Sequence, residues 1–428
     1  MNQSEAIDEL HKVSLGIVDW RSDHGKRYKL SEILVILTLA LIAGAQDAED
    51  IALFGKLNLA WFRRFLPLSS GAPAHDLYLG VLGVIKPDVV EQLVRDWIAN
   101  LRGPVALEMQ GALVAFDGQT LRGSFDRASG KKGVHLLSAY STRTGFVVGT
   151  VAVGEKTNEI PAMQEMLATL DVRGATVTAD AMNCQKETAA AIRRGGADYV
   201  LQVKENQLHL AEDLKAVFAD VARRRRPGEA AAAVDEYVEV DKGHGRIETR
   251  KVILSHNLTG VRHADDWADL AVVAAVLRMR EDVISGKTSK EISYYLGSKG
   301  AASAKEFGEA VRGHWGIENG LHHSLDVIWG SDGHQLRDRT AAENLGRLRR
   351  FCAGLVKGVV GWGMSGKRVR KACGWNPDLL MQVLAGVPIS AERTRRPNRK
   401  GAKDEIVSAK TKLRREQQAA AKAAAAVK

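Results

Sequence analysis

Cysteine is scarce in this chain, which has only three in 428 residues. Cys184, Cys352 and Cys373 lie far apart and none forms a Cys-x-x-Cys pair, which excludes a disulfide framework and an ordinary cysteine zinc site. Long apolar runs are also missing: the longest, residues 33–43, is much shorter than the roughly 20 residues of a transmembrane helix. The first residues do not join a basic segment to an apolar core, so we predict no signal peptide. We therefore expect a soluble, cytoplasmic protein that has no membrane partner.

Composition and charge leave a large globular protein as the expectation. Apolar residues make up 45% of the chain and charged residues 26%, which supports a full core and argues against widespread disorder. The formal net charge of +10 favours a polyanionic partner such as nucleic acid. Most of this excess lies between residues 391 and 428, where 12 Lys or Arg face 4 Asp or Glu, a net of +8. Because a basic tail also improves solubility, the charge alone is weak support for nucleic-acid binding.

The spacing of apolar residues predicts an α/β fold with an extra helical region. Residues 1–105 follow a helical period, which indicates an N-terminal helical region. Residues 106–385 begin with three strands and continue with alternating helices and strands, a pattern typical of a mixed sheet covered by helices. Alternating strands over about 212–295 indicate a β-rich insertion in this domain, entered through a flexible loop. The basic, Ala-rich residues 386–428 predict a mobile tail.

Three acidic residues form a candidate metal site. Asp117 ends the predicted first strand and Asp180 the fourth, while Glu318 lies in a helical segment rich in His, Trp and Asn. Strand ends point side chains into the crevice at a sheet edge, so the two aspartates meet if their strands are neighbours. Carboxylates this close repel each other unless cations neutralise them, and oxygen ligands suit Mg²⁺. Two such ions, about 3.5–4 Å apart, can activate an attacking oxygen and stabilise a leaving one in phosphodiester chemistry.

Each of these residues also has an ordinary interpretation when it is taken alone. An aspartate before a glycine at a strand end is often a turn residue, and a glutamate on a helix is often partly exposed. The occurrence of all three in this order, with a strand-to-helix alternation between the first two, favours the metal site.

Eight short segments, in this order, resemble bacterial insertion-sequence transposases of the DDE type, in the group that includes the H-repeat-associated proteins. The segments run through most of the chain: residues 27–34, 41–44, 116–123, 155–160, 179–186, 199–207, 243–248 and 311–319. The resemblance implies an RNase H-like core in which Asp117, Asp180 and Glu318 are catalytic and bind two Mg²⁺ or Mn²⁺ ions per active site. It further implies binding to the terminal inverted repeats of a mobile element, metal-dependent 3′-end cleavage and strand transfer to target DNA. A homodimer on DNA, associated with the nucleoid when bound, is implied as well.

Further residues are candidates for DNA contact. The family places a basic residue one turn before the glutamate, where this chain has His314, with Arg312 nearby. Lys204 and Asn206 follow a predicted strand. They could contact a phosphate or the metal shell, or they could simply be the polar end of the strand. Arg246 could bind DNA or belong to a polar hairpin tip. Arg347 and Arg350 lie with Arg349 on a later predicted helix. They are interpreted either as phosphate-binding residues or as part of the exposed face of that helix.

The family pattern is broken at two positions after the glutamate. His323 stands where the family usually has Trp, and Ser331 where it usually has Glu. Both positions bear on DNA-end contacts more than on metal binding. Two other functions therefore stay open: a catalytically inactive DNA-binding descendant of a transposase, and a metal-dependent nuclease that does not transfer strands. The N-terminal region likewise could recognise DNA ends or serve packing and dimerisation.

Overall fold

The computed structural model describes most of the chain up to Val387. The described residues are 3–387 without 18, 20, 22–25, 102–107, 127–129, 224–233, 244, 300–301, 334 and 360–363. The predicted mobile tail at 386–428 therefore lies almost wholly outside the described residues, and so does the predicted flexible loop, which falls within 224–233.

Helices come first and strands follow, as the apolar spacing predicts. Within the described residues, six helices precede the sheet: α1 (Gln3–Leu15), α2 (Leu30–Ala43), α3 (Ala48–Leu57), α4 (Leu59–Phe62), α5 (His75–Val84) and α6 (Pro87–Asn100). The next elements are β1 (Leu113–Thr120), β2 (His135–Ser141), β3 (Val147–Val153), α7 (Glu159–Thr169), β4 (Thr176–Ala179), α8 (Lys186–Arg194), β5 (Asp198–Val203) and α9 (Leu208–Arg223). Four long strands follow: β6 (Val234–Gly243), β7 (Arg246–Ser255), β8 (Val272–Asp282) and β9 (Thr288–Gly297). The described chain ends with α10 (Ala304–Ile317), a π-helical turn (Glu318–His322), α11 (His323–Val327), α12 (Arg339–Val359), α13 (Gly366–Trp375) and α14 (Pro377–Leu384).

Strands β1 to β5 form an RNase H-like core. Their order across the sheet is β3-β2-β1-β4-β5. Strands β1, β2 and β3 are antiparallel neighbours, whereas β4 is parallel to β1 and β5 is parallel to β4. Helix α8 connects β4 to β5, and the chain passes through β2, β3 and α7 between β1 and β4, so each parallel pair has the crossover that it requires. The predicted α/β class and the RNase H-like mixed sheet are confirmed.

The β-rich segment extends this same sheet. Strand β9 pairs antiparallel with β5, and β8, β7 and β6 continue outward from it, which gives a sheet of nine strands among the described residues. The first part of the predicted segment is helical instead, because α9 continues to Arg223 with Leu214 and Phe218 buried. The segment therefore forms a broad wing of the core sheet, and α10 then packs across β1 and the inserted strands β6 and β7.

Helix α2 is the centre of the N-terminal helical region. Every residue from Leu30 to Ile42 is buried, as expected for a helix that is apolar on all sides. Helices α1, α3, α12, α13 and α14 all pack against it. Among the described residues no single helix is long and apolar enough to cross a membrane, although α2 and α3, bent by 99°, meet the criteria of length and composition as a pair.

Helix α12 is buried between this region and the sheet, which corrects one prediction. Arg347, Arg349 and Arg350 are 4%, 4% and 1% exposed. Arg347 donates to the carboxylates of Glu91 and Glu343, each at 2.6 Å. Buried guanidinium groups need such internal acceptors, because an unpaired buried charge is very costly. Arg347 and Arg350 therefore form neither a phosphate-binding face, the interpretation that we favoured, nor an exposed helix face, and their role is structural.

Candidate functional site

The strand register brings Asp117 and Asp180 to neighbouring positions. Strands β1 and β4 pair in parallel up to Phe116 and Ala179, and each aspartate is the next residue. The two strands are thus neighbours, which was the condition under which we expected the aspartates to meet. Asp117 does not end its strand, however, because β1 stays paired with β2 through Thr120 after its pairing with β4 has stopped. Asp180 directly follows β4, as predicted.

The two carboxylates have different electrostatic surroundings. The side chain of Asp117 is 15% exposed and that of Asp180 is 50% exposed. Burial, with a further contribution from the charge of Asp180, raises the pKa of Asp117 to about 7. A hydrogen bond from His314 lowers the pKa of Asp180. Burial and a neighbouring negative charge thus raise one pKa, whereas His314 lowers the other, and a cation would stabilise both carboxylates in their ionised form.

Two histidines of the following helices contact the aspartates. His314 Nε2 lies 3.3 Å from Asp180 Oδ1, and its Nδ1 lies 3.0 Å from the hydroxyl of Thr178 on β4. His322 Nδ1 lies 3.3 Å from Asp117 Oδ2. Burial lowers the pKa of His322 to about 3, so its ring is neutral. We did not predict His322 from the sequence, although its spacing of eight residues from His314 on a helical segment was a usable signal.

Glu318 lies between the two histidines along the helix but is not in contact with the aspartates. It follows the last residue of α10 and begins the π-helical turn that ends at His322. Its side chain is exposed and, within the described residues, makes no hydrogen bond or ion pair. Over the same residues, no three or more His, Cys, Asp or Glu side chains converge closely enough to hold a metal ion. The structure thus brings two of the three predicted carboxylates together.

Lys204 and Asn206 lie beside Asp180. Together with Asp180 they line a cavity of about 590 Å³ at the end of β5. The positive charge of Lys204 contributes to the lowered pKa of Asp180. Asn206 donates through its side-chain nitrogen to the backbone oxygen of Ala181 at 2.7 Å, which holds the turn that follows Asp180.

Arg312 and Arg246 lie away from the aspartates. Arg312 projects from α10 towards β6, where its guanidinium pairs with Glu239 and with Asp241. Arg246 is exposed at the start of β7. Both line a groove between the inserted strands and α10, on a different side of the helix from His314.

A second polar cluster supports the strand that carries Asp117. His135 Nε2 lies 2.8 Å from Glu159 Oε1, and its Nδ1 lies 2.8 Å from the hydroxyl of Thr120. Gly118 packs directly against this pair, because a Cβ at that position would overlap both His135 and Glu159. We did not predict His135 or Glu159 as site residues, although Glu159 lies inside one of the segments that carry the resemblance.

Family models and known proteins match this chain along most of its length. A family model described as a transposase DDE domain matches residues 108–353, and one described as DDE_Tnp_1-associated matches residues 15–98. YncI of Escherichia coli O157:H7 is 32% identical over 372 residues, which cover 86% of this chain and 92% of YncI. YhhI of Escherichia coli K12 is 30% identical over 377 residues, 87% of this chain and 97% of YhhI, and its name associates it with the H repeat. Both are named provisionally as transposases. A solved piggyBac transposase synaptic complex with hairpin DNA aligns with a TM-score of 0.42 at 12% identity, over 95% of this chain and 82% of that one.

Proposed function

This chain belongs to the family of transposases with a DDE domain, and we propose that it binds the terminal inverted repeats of an insertion sequence, cleaves their 3′ ends and joins them to target DNA. The proposal rests on the neighbouring positions of Asp117 and Asp180, each the next residue after the paired part of the parallel strands β1 and β4. This crevice at the ends of parallel strands is where α/β proteins commonly bind their ligands.

The two aspartates would hold divalent metal, Mg²⁺ or Mn²⁺. Their four oxygens are the donors that these ions prefer. Burial and the charge of Asp180 raise the pKa of Asp117, so a divalent cation beside this carboxyl would favour its ionised form. When bound, two ions in such a site activate an attacking oxygen and stabilise the leaving oxygen of a phosphodiester. We propose that Glu318 supplies the third carboxylate after the side chain turns from solvent towards the aspartates.

The chain's own residues would orient the site. His314 bridges Thr178 and Asp180, which fixes one carboxylate relative to β4. His322 contacts Asp117 from the other end of the π-helical turn. Because the turn between these histidines begins at Glu318, a shift of the turn would move that glutamate relative to both aspartates. Single π-helical turns inserted in α-helices occur frequently at functional sites.

Other residues would contact DNA. Lys204 lines the same cavity as Asp180 and would bind a phosphate near the reacting bond. Asn206, which lines that cavity, and His314, which contacts Asp180, would contact DNA beside it. Arg312 and Arg246 would bind DNA farther away. We also propose that the protein acts at the nucleoid as a homodimer that holds two element ends.

The test is nicking of a labelled duplex that carries the terminal inverted repeat flanking the coding sequence, with Mg²⁺ or Mn²⁺. We expect the wild type to nick and to join ends to a target, and Asp117→Asn, Asp180→Asn and Glu318→Gln each to lose both steps while still binding the duplex. Glu165→Gln, an exposed carboxylate on α7, is the matched control and should retain activity.

The alternatives give different results in the same assay. Nicking without joined product would indicate a nuclease. Tight binding with no nicking under either ion would indicate an inactive DNA-binding descendant. Activity that survives in Glu318→Gln would remove that residue from the catalytic set.

A further inference from the structure

A basic groove lies between the inserted strands and α10. Its floor is the face of β6, β7 and β8, its wall is α10, and its volume is about 790 Å³. Six cationic side chains line it against three carboxylates, a net excess of three positive charges. The cationic residues are Lys242, Arg246, Arg250, Arg278, Arg280 and Arg312.

The strand register concentrates this charge. Arg250 on β7 lies directly opposite Arg278 on β8, a like-charge pair that destabilises a sheet when nothing compensates it. Glu248 is the shared partner, 2.9 Å from Arg250, 3.3 Å from Arg278 and 3.8 Å from Arg280. Arg250 also lies 3.5 Å from Glu239, and Arg278 lies 3.7 Å from Glu291. Glu239 is itself shared with Arg312, so the six cations of the lining still exceed its three carboxylates, and an anion would stabilise this surplus of positive charge.

An aromatic side chain stands at the wall of the groove. The indole of Trp315 on α10 is 39% exposed, and the guanidinium of Arg278 lies 4.7 Å from its ring centre. A positively charged groove with an accessible aromatic ring is the combination that binds nucleic-acid strands, through phosphates and base stacking respectively.

Two carboxylates of β6 hold the arginine of the wall. Arg312 pairs with Glu239 and, at 3.4 Å, with Asp241. A carboxylate and a phosphate both present oxygens that accept parallel N–H bonds from a guanidinium. Glu239 and Asp241 therefore contact Arg312 in the way that a DNA phosphate would.

We propose that this groove binds the backbone of a DNA strand, and that Glu239 and Asp241 compete with that DNA for Arg312. The inference rests on the proposed function, which supplies DNA as the ligand. The groove is distinct from the aspartate crevice, but α10 borders both: Arg312 and Trp315 face the groove, while His314 faces Asp180. Because a helix with its side chains is about 10 Å across, DNA held in the groove would lie a short distance from the reacting bond.

The first test is the salt dependence of DNA binding. We would measure binding of the full chain to a labelled duplex of the element end by fluorescence anisotropy at several salt concentrations. Lys242→Ala combined with Arg246→Ala removes two exposed charges at the groove rim. Each phosphate contact contributes about 0.9 to the slope of log K against log salt, so the slope should fall by about 1 to 2.

The control removes the same charge elsewhere. Arg173→Ala combined with Arg194→Ala deletes two exposed arginines near α8, on a surface that does not line the groove. This variant should keep the wild-type slope. If the groove variant and the control bind DNA alike, the groove is not a DNA site, although cleavage by the wild type would leave the proposed function standing. A wild type that binds no DNA would overturn both.

The second test uses a substitution that should strengthen DNA binding. Glu239→Gln removes one of the two carboxylates that hold Arg312, and also a partner of Arg250, so this variant should bind the duplex several-fold more tightly than the wild type. Glu236→Gln is the matched control, because it changes the same residue type on the same strand, where the side chain pairs with Lys251 and not with Arg312. A gain in affinity confined to Glu239→Gln supports competition. Equal gains in both variants, or a loss in Glu239→Gln with an unchanged melting temperature, would overturn it.

Discussion

The Nδ1 atom of His322 lies 3.3 Å from Oδ2 of Asp117, at the buried end of the aspartate pair. Both side chains are nearly enclosed, at 13% and 15% exposure. Because the pKa of His322 is lowered to about 3 by burial, the ring is neutral and the contact is not an ion pair. A neutral ring in this place limits the orientations of the carboxylate without cancelling the negative charge that would attract a metal ion.

This contact predicts that His322 is a positioning residue for Asp117. His322→Ala should lower metal-dependent nicking, and the apparent affinity for Mn²⁺, by about 10–100-fold, the usual effect of losing a residue that orients a metal ligand. His323→Ala is the control, since His323 is the next residue and is exposed. Nicking rates measured over a Mn²⁺ titration distinguish the two variants. A loss of activity in His323→Ala alone would show that the positioning role is assigned to the wrong histidine.

The raised pKa of Asp117 predicts a pH-dependent metal affinity. Below about pH 7 the carboxyl of Asp117 holds a proton in the metal-free protein, and a metal ion must displace it. The affinity for Mn²⁺ should therefore rise towards tenfold per pH unit between pH 6 and 7 and level off above. Titration calorimetry in buffers with different ionisation enthalpies measures the proton released. Asp117→Asn should abolish this release, and release that persists in that variant would assign the proton to another group.

The same shift has a consequence for the stability of the metal-free protein. The pKa of Asp117 is higher in the folded state than its ordinary value of 3.8, so between these two values the folded state binds more protons than the unfolded state. Stability contributed by this group is therefore present at low pH and is lost as pH rises through about 7. Urea unfolding from pH 5 to 8 in the presence of a chelator should show a steeper decline for the wild type than for Asp117→Asn. Parallel profiles would contradict the assignment.

The aspartate pair could be predicted from the sequence because its cause is local. Each aspartate follows an apolar run of strand length, and a helix between the two runs predicts a parallel crossover. Arg347 and Arg350 could not be assigned in this way. On α12 they are interspersed with apolar residues such as Leu345 and Leu348. In such a pattern the charged residues ordinarily form the exposed face of the helix. Only the tertiary packing of α6, which brings Glu91 to Arg347, shows that both faces of α12 are covered.

The sequence also could not predict where the inserted strands join the sheet, because this too depends on tertiary packing. Alternation of apolar and polar residues predicts β6 to β9 as strands, but it does not determine which edge of the core sheet they join. That choice depends on the register of β9 with β5, where Val203 lies opposite Tyr294. The position of Glu318 depends on the π-helical turn, which the helical spacing alone does not reveal.

Burial of Arg350 predicts a structural phenotype. Its guanidinium donates to Ser138 and Gln119 on the central strands, at 3.0 and 3.1 Å. Arg350→Ala should lower the free energy of unfolding by about 3–5 kcal/mol, through the lost buried volume and the unsatisfied acceptors. Arg368→Ala, an exposed arginine on α13, should change it by less than about 0.5 kcal/mol. Urea unfolding gives both values. A stable Arg350→Ala variant with weakened DNA binding would restore the phosphate-binding role that we rejected.

Gly118 links the stability of β1 to the aspartate site, because it packs against His135 and Glu159 on one face while Asp117 points to the other. Gly118→Ala would place a methyl group into that pair, and overpacking of this kind costs about 1–3 kcal/mol. We expect the strand to shift, so that nicking falls more than the loss of folded protein explains. Gly80→Ala on α5 is the control, since a Cβ there meets no atom within 4 Å and alanine stabilises a helix interior by up to about 1 kcal/mol. Nicking rates are to be compared at a temperature where unfolding curves show both variants to be folded. A Gly118→Ala variant as active and as stable as Gly80→Ala would show that the His135–Glu159 pair yields freely and has no part in holding Asp117.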